Sequence, residues 1–387
     1  MKALATAALG LSLCLSASHS AAQCTQEGKF SSADTFDKFG RGVAVGFRFA
    51  AVGAPNDSSL SNQEGIVYVY RDSPSGWAFD QTIQPAGLDP LDLFGFDVTA
   101  EGTRMAISAL YDDDNGTDAG AVYVYRWDSG SWVMEQKIVN PVPGNNLNFG
   151  WKVSMTEDVL AVSQWPQVVQ VYHRSGTTWS HAATLSPSFQ DQRFGSDVAV
   201  GGNLVVVGDP EYGVSEGAIE VYRYTAGIGY QSEYVAFGAI ASGLGSAVDV
   251  HRTRVVAGAW ESGTGNAEVH RYDAGTSSWS LEQTLVGNDS LAGDGFGFSV
   301  AADNFGVYIG APGHDSLGDA TGAVYVFQLS TGTWTQVNKL TPPDLVDVDN
   351  FGTTMAIERN FIAVCNRFQV FNPFQDSRAV YLFSSCP

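Results

Sequence analysis

The chain has 387 residues, 44% of them hydrophobic and 12% aromatic, which is ample for one large core. Its 41 acidic residues outnumber 20 basic ones, for a formal charge of −21. That balance excludes nucleic-acid phosphates and anionic membrane surfaces as main partners, since both need a basic face, and suits divalent cations or a basic partner.

The first element is a processing signal. Lys2 opens it, Ala3 to Leu15 is a short apolar run, and Ser20-Ala21-Ala22 supplies small residues for cleavage. Residues 1–22 are therefore read as a signal peptide, and residues 23–387 as a single exported domain, secreted or periplasmic. The apolar run is too short to span a bilayer and no other candidate follows, so no membrane insertion is expected. Cys14 leaves with the signal, and Cys24, Cys365 and Cys386 remain in an oxidising compartment.

From there the chain returns seven times to one phrase, Phe-Gly followed by an apolar stretch. The copies are Phe39-Gly40, Phe94-Gly95, Phe149-Gly150, Phe194-Gly195, Leu244-Gly245 (which lacks the ring), Phe296-Gly297 and Phe351-Gly352. Thirteen residues after each glycine stands a small residue: Gly53, Ser108, Ser163, Gly208, Gly258, Gly310 and Cys365. Each unit then repeats one pattern. A strand follows the Phe-Gly, and a second ends at the small-residue corner. A third alternates with period two, as in Val67-Tyr68-Val69-Tyr70. A fourth opens on an aromatic, namely Trp77, Trp132, Trp179, Tyr230, Trp279 or Trp334. Those aromatics are expected to cover each unit's exposed flank.

Seven near-equal units of four short strands predict an all-β, seven-bladed β-propeller with four antiparallel strands per blade. A β-sandwich leaves the seven copies unexplained. The last unit lacks its fourth strand, while residues 25–30 form an orphan extended piece before the first Phe-Gly. Inserted into the last blade, that piece closes the ring. Antiparallel pairing would bring Cys24 beside Cys386, so these two are expected to form a disulfide closing nearly the whole mature chain. Cys365, on a core strand, is expected to be an inert buried thiol.

These repeats resemble FG-GAP repeats, the units of the integrin alpha-subunit propeller and of many exported bacterial proteins. Phe39-Gly40 with Gly53-Ala54-Pro55, and Phe296-Gly297 with Gly310-Ala311-Pro312, match in full. The resemblance implies a propeller whose long-loop face binds ligands. Some family members carry an Asp-x-Asp-x-Asp-Gly calcium loop between the first and second strands. Here those connections are short, so those calcium sites are not carried over.

Strand direction puts the long loops, from strand four to one and from two to three, on one face. That face collects 23 of the 41 acidic residues, opposed within the loops only by Lys38, Arg193, Arg367 and Arg378. Within it, Asp112, Asp114 and Asp118 around Gly116 are the candidate calcium ligands, and Asp315 and Asp319 form a thinner version in the sixth unit. Trp165 and Trp260 stand at loop corners, where they either stack on a ligand or pack across a seam between blades. Trp151, directly after a Phe-Gly, is read as core. Gly213-Val214-Ser215-Glu216-Gly217 matches the nucleophile-elbow pattern in letters only, because no helix is expected after it. The histidines show no metal-ligand spacing. Asn56, Asn115 and Asn288 begin glycosylation sequons.

The function expected from these features is a secreted, non-catalytic, monomeric binding or adhesion-type propeller. It would present an acidic long-loop face to an extracellular protein or glycan, with calcium as a candidate aid. The alternatives are a polysaccharide hydrolase or lyase using carboxylates near the central channel, and a structural module of an envelope or wall.

Overall fold

The computed structural model describes residues 24–32, 37–57, 63–164, 167–188, 193–359, 361–366 and 379–384. Seven four-stranded sheets, each fully antiparallel, stand around a central axis. Blade 1 runs Val43–Gly46, Phe49–Ala54, Ile66–Ser73 and Gly76–Ile83 from the axis outward, and blades 2 to 6 repeat that order. Blade 7 takes Phe351–Glu358, Phe361–Asn366 and Ala379–Ser384 from the C-terminal end of the chain and its outer strand, Gln26–Ser31, from the N-terminal end. Gln26 pairs with Phe383 and Ser31 with Ala379, the antiparallel register expected for closure. The one helix among the described residues is a single turn, Tyr212–Ser215, in a loop of blade 4.

The thirteen-residue offset has a direct cause. In blade 1 the amide of Gly40 donates to the carbonyl of Gly53 at 2.9 Å, and in blade 5 Gly245 donates to Gly258 at the same distance. The phrase and the corner are thus two sides of one hydrogen bond. The corner must also be small because the next blade lies against it. A Cβ on Gly258 would stand 1.9 Å from the carbonyl oxygen of Gly297, and one on Gly53 would stand 2.0 Å from that of Gly95.

The aromatic half of the phrase plugs the same seam. Phe94, Phe149, Phe296 and Phe351 are fully buried, and Leu244 fills the place in blade 5. Phe94 meets Tyr123 edge-on at 5.4 Å, and Phe351 meets Tyr381 at 5.4 Å. The core is therefore a ring of inter-blade clusters, and alternate faces of each sheet feed neighbouring clusters.

The outer-strand tryptophans differ from expectation. Trp132, Trp179, Trp279 and Trp334 are buried. Each reaches back to the preceding blade instead of covering a free flank. Six blades carry a bulge at one place in the outer strand pairing. In blades 2, 4 and 5 the extra residue is Glu135, Glu233 or Glu282. The indole N–H groups of Trp179 and Trp334 donate to Glu135 and Glu282 at 2.9 Å, and Trp279 donates to Glu233. The bulge re-aims a carboxylate sideways to bond the next blade.

Candidate functional site

Loop direction is as read from the sequence, but the acidic face is less charged than its count suggests. Asp37, Asp57, Asp92, Asp112, Asp209, Asp294 and Asp349 are buried. Several of them hold loops together. Asp92, Asp294 and Asp349, each two residues before a Phe, accept from the amides of Asp89, Leu291 and Val346 at 2.8, 2.8 and 2.9 Å. Burial, reinforced by Asp112 and Asp89, pushes the Asp92 carboxyl up to about 7.

Lysines from the outer strands also climb to this face, which the loop-only count of opposing cations missed. Lys339 pairs with Asp289 at 2.7 Å, and Lys29 pairs with Asp344 at 2.6 Å. In both, a third-strand tyrosine completes the group. Tyr325 donates to Asp289 at 2.9 Å, and Lys29 lies 4.8 Å over the Tyr381 ring.

The candidate calcium loop carries the same arrangement. Asp112 accepts from Tyr123 at 2.8 Å and from Lys137 at 2.6 Å, and Asp114 shares that ammonium. The Asp118 amide donates to Asp113 at 2.6 Å. In blade 6 the Ala320 amide donates to Asp315 at 2.8 Å in the equivalent way, and the Asp319 amide donates to Asp347 at 3.1 Å. The two loops are one motif, in which the first side chain caps the turn and the turn docks on the next blade's long loop. Lys137 lies between Asp112 and Asp114, where a cation would bridge them. No three His, Cys, Asp or Glu side chains are grouped to hold a metal ion among the described residues.

Trp260 is 36% exposed and packs on Phe298 of the next blade at 5.0 Å, so one edge seals a seam while part of the ring stays open. Trp151 departs from its assignment to the core, for it is 42% exposed and rests on Phe96 at 5.5 Å. Trp165 and Cys386 lie outside the described residues, as do residues 1–23. Cys365 is buried on its core strand, where its thiol donates to the Asn366 carbonyl at 3.1 Å.

The central channel holds side chains that the repeat analysis passed over. Its cavity measures about 810 Å³. Asp97, Asp197 and Asp249 project from inner strands and accept from the amides of Val153, Val248 and Ala302 in the next blade at 2.9, 2.8 and 2.7 Å. An inner strand is a sheet edge, and these carboxylates satisfy its amides. Lys152 stands between Asp97 and Asp197 at 3.9 and 3.7 Å. Burial raises the Asp197 carboxyl, and raises that of Asp249 to about 6. The signal that could have found them is a charge two or four residues after a Phe-Gly glycine, on a strand otherwise apolar.

This fold and its seams define an FG-GAP repeat propeller. The FG-GAP repeat family model matches residues 77–125, 279–327 and 334–383. Each match starts on the outer strand of one blade and ends on the third strand of the next, so the sequence unit straddles the blade boundary. No curated protein matches the chain. Among solved structures, the crystal structure of Saccharomyces cerevisiae Sqt1 aligns at 11% identity with a TM-score of 0.49, covering 91% of this chain and 98% of that one.

Proposed function

We propose that the protein is an exported, non-catalytic binding module of adhesion type, using its long-loop face to hold an extracellular protein or glycan. The observation carrying this reading is the display of apolar side chains at the loop tips. Val142, Ile240 and Leu291 are 67, 70 and 69% exposed there, among loops otherwise rich in carboxylates. The channel acids favour binding over hydrolysis, because Asp97, Asp197 and Asp249 are each engaged by a neighbouring blade's amide.

Export rests on the signal at residues 1–22, and a Cys24–Cys386 bridge would suit that compartment. The bridge is supported by the register of the closing strand and by the bond from the Thr25 amide to Ser384 at 3.2 Å. Calcium at Asp112, Asp114 and Asp118 would have to displace Lys137.

The test presents immobilised mature protein to extracellular-matrix proteins and glycans, with and without calcium. Val142→Asp and Ile240→Asp are expected to abolish capture while leaving Tm unchanged. Capture unaffected by both substitutions refutes the reading.

A further inference from the structure

Residues immediately after four of the Phe-Gly glycines reach the channel cavity at its long-loop end. Arg41, Ser246, Phe298 and Thr353 occupy that place in blades 1, 5, 6 and 7 and line the cavity. Phe96 and Trp151 occupy it in blades 2 and 3. The Arg41 guanidinium lies 4.0 Å over the Phe96 ring, and Phe96 backs Trp151. Phe298 likewise backs Trp260, which also lines the cavity. Trp260, in the cavity lining, and Trp151, next in the chain to the cavity-lining Lys152, are thus two partly exposed indoles, each supported by a buried or half-buried phenyl ring, and together they are called the collar. Beneath it lie Lys152, Asp97 and Asp197, whose side chains are 28, 10 and 19% exposed.

We propose that this collar binds one end of a neutral polysaccharide chain. Sugar C–H faces would cover the Trp151 and Trp260 rings, and hydroxyls would meet Lys152, Asp97 and Asp197. The charge pattern selects this class. At the mouth Arg41 and Lys152 stand with Asp97 and Asp197, and Asp249 lies further along the channel, so an ion of either sign meets a like charge there. An ammonium ligand would meet Arg41 already on the aromatic wall and Lys152 already between the acids. A uronate would meet Asp97 and Asp197. An apolar ligand would strip water from four charges. Sugar hydroxyls donate and accept, which matches a floor of mixed donors and acceptors, and an indole has the apolar face that sugar rings need. The collar lies on the face proposed above for binding and depends on that reading, which it narrows to the channel mouth.

The experiment titrates the mature protein with neutral oligosaccharides (β-1,4 and α-1,4 glucans, xylan and chitin oligomers), a uronate oligomer and spermidine, following tryptophan fluorescence and calorimetry. At least one neutral oligosaccharide is expected to bind. Trp260→Ala and Trp151→Ala should each weaken it at least tenfold with the protein still folded by circular dichroism, and Trp260→Phe should weaken it less. Binding of only the uronate or spermidine, no binding, or neutral-sugar binding indifferent to both tryptophans overturns the collar. Val142→Asp separates the two readings. If no oligosaccharide binds while matrix-protein capture persists and is lost in Val142→Asp, the collar fails and the loop-tip reading stands. If capture also ignores Val142→Asp and Ile240→Asp, both fail.

Discussion

Gly258→Ala tests the seam on which every placement above depends. The new methyl would sit 1.9 Å from the Gly297 carbonyl oxygen, where ordinary contact begins at 3.4 Å. Blades 5 and 6 must therefore part by roughly 1.5 Å, because neither backbone has a rotamer to yield. Overpacking of this kind costs about 1–3 kcal/mol. Parting the blades also strains the bond from the Ala302 amide to Asp249, now 2.7 Å, and a bond to a charged group contributes about 1.5–3 kcal/mol. The expected loss is about 3–5 kcal/mol, a large share of a typical stability of about 5–15 kcal/mol. In a domain this large it lowers Tm by about 4–7 °C. Gly263→Ala is the control. Its φ is +61° and nothing lies within 4 Å of the added Cβ, so it carries only the left-handed backbone penalty of about 1–2 kcal/mol. Urea unfolding followed by tryptophan fluorescence, with calorimetry on both variants, measures the difference. Equal losses in the two variants would refute the seam as the reason the corner is small.

The raised carboxyl of Asp92 makes stability fall as pH rises. Folding lifts its value from 3.8 to about 7, so the folded state holds the proton more tightly. Its contribution is complete below pH 3.8, erodes toward pH 7 and is constant above. A dry carboxylate would lose about 4 kcal/mol over that interval, and screening at a loop leaves about 1–2 kcal/mol. Asp92→Asn keeps an acceptor for the Asp89 amide and should abolish that part of the fall in Tm between pH 5 and 8; an unchanged pH profile counts against it. Calcium bound at Asp112, Asp114 and Asp118 should raise Tm, with Asp114→Ala removing the rise, and a wild type indifferent to calcium ends that proposal. Deleting residues 23–31 exposes the edge of Ala379–Ser384, and should give a chain that unfolds at a much lower urea midpoint or aggregates; a deletion variant as stable as the intact protein would deny closure its role. If Cys24 and Cys386 are bridged, a reductant should lower the Tm of the intact mature protein by several degrees and leave Cys24→Ser unmoved.

Fold and closure were legible because their causes are local and repeated. The Phe-Gly turn and its corner form one hydrogen bond inside a blade, so the offset survives even where the corner is Ser108, Ser163 or Cys365. The missing fourth strand and the spare leading strand could be matched by counting alone. The two faces also followed from strand direction.

The state of each acid was not legible. Asp112 and Asp114 are neighbours in sequence with like chemistry, yet Asp112 is buried under Tyr123 and Lys137 while Asp114 is exposed. Lys137 reaches them from the outer strand, and no spacing along the chain announces it. Trp151 shows the same limit. Its place after a Phe-Gly is that of buried Phe96, but much of its ring is exposed. The sequence by itself determined the number of blades and their strand order, since each depends on hydrogen bonds and alternation within one repeat, and how the ring closes, since one strand is missing at one end of the chain and spare at the other. Only the tertiary structure decided which carboxylates are buried, which lysines meet them, and which rings stay exposed, because those contacts join strands and loops from 25 to 315 residues apart in the chain.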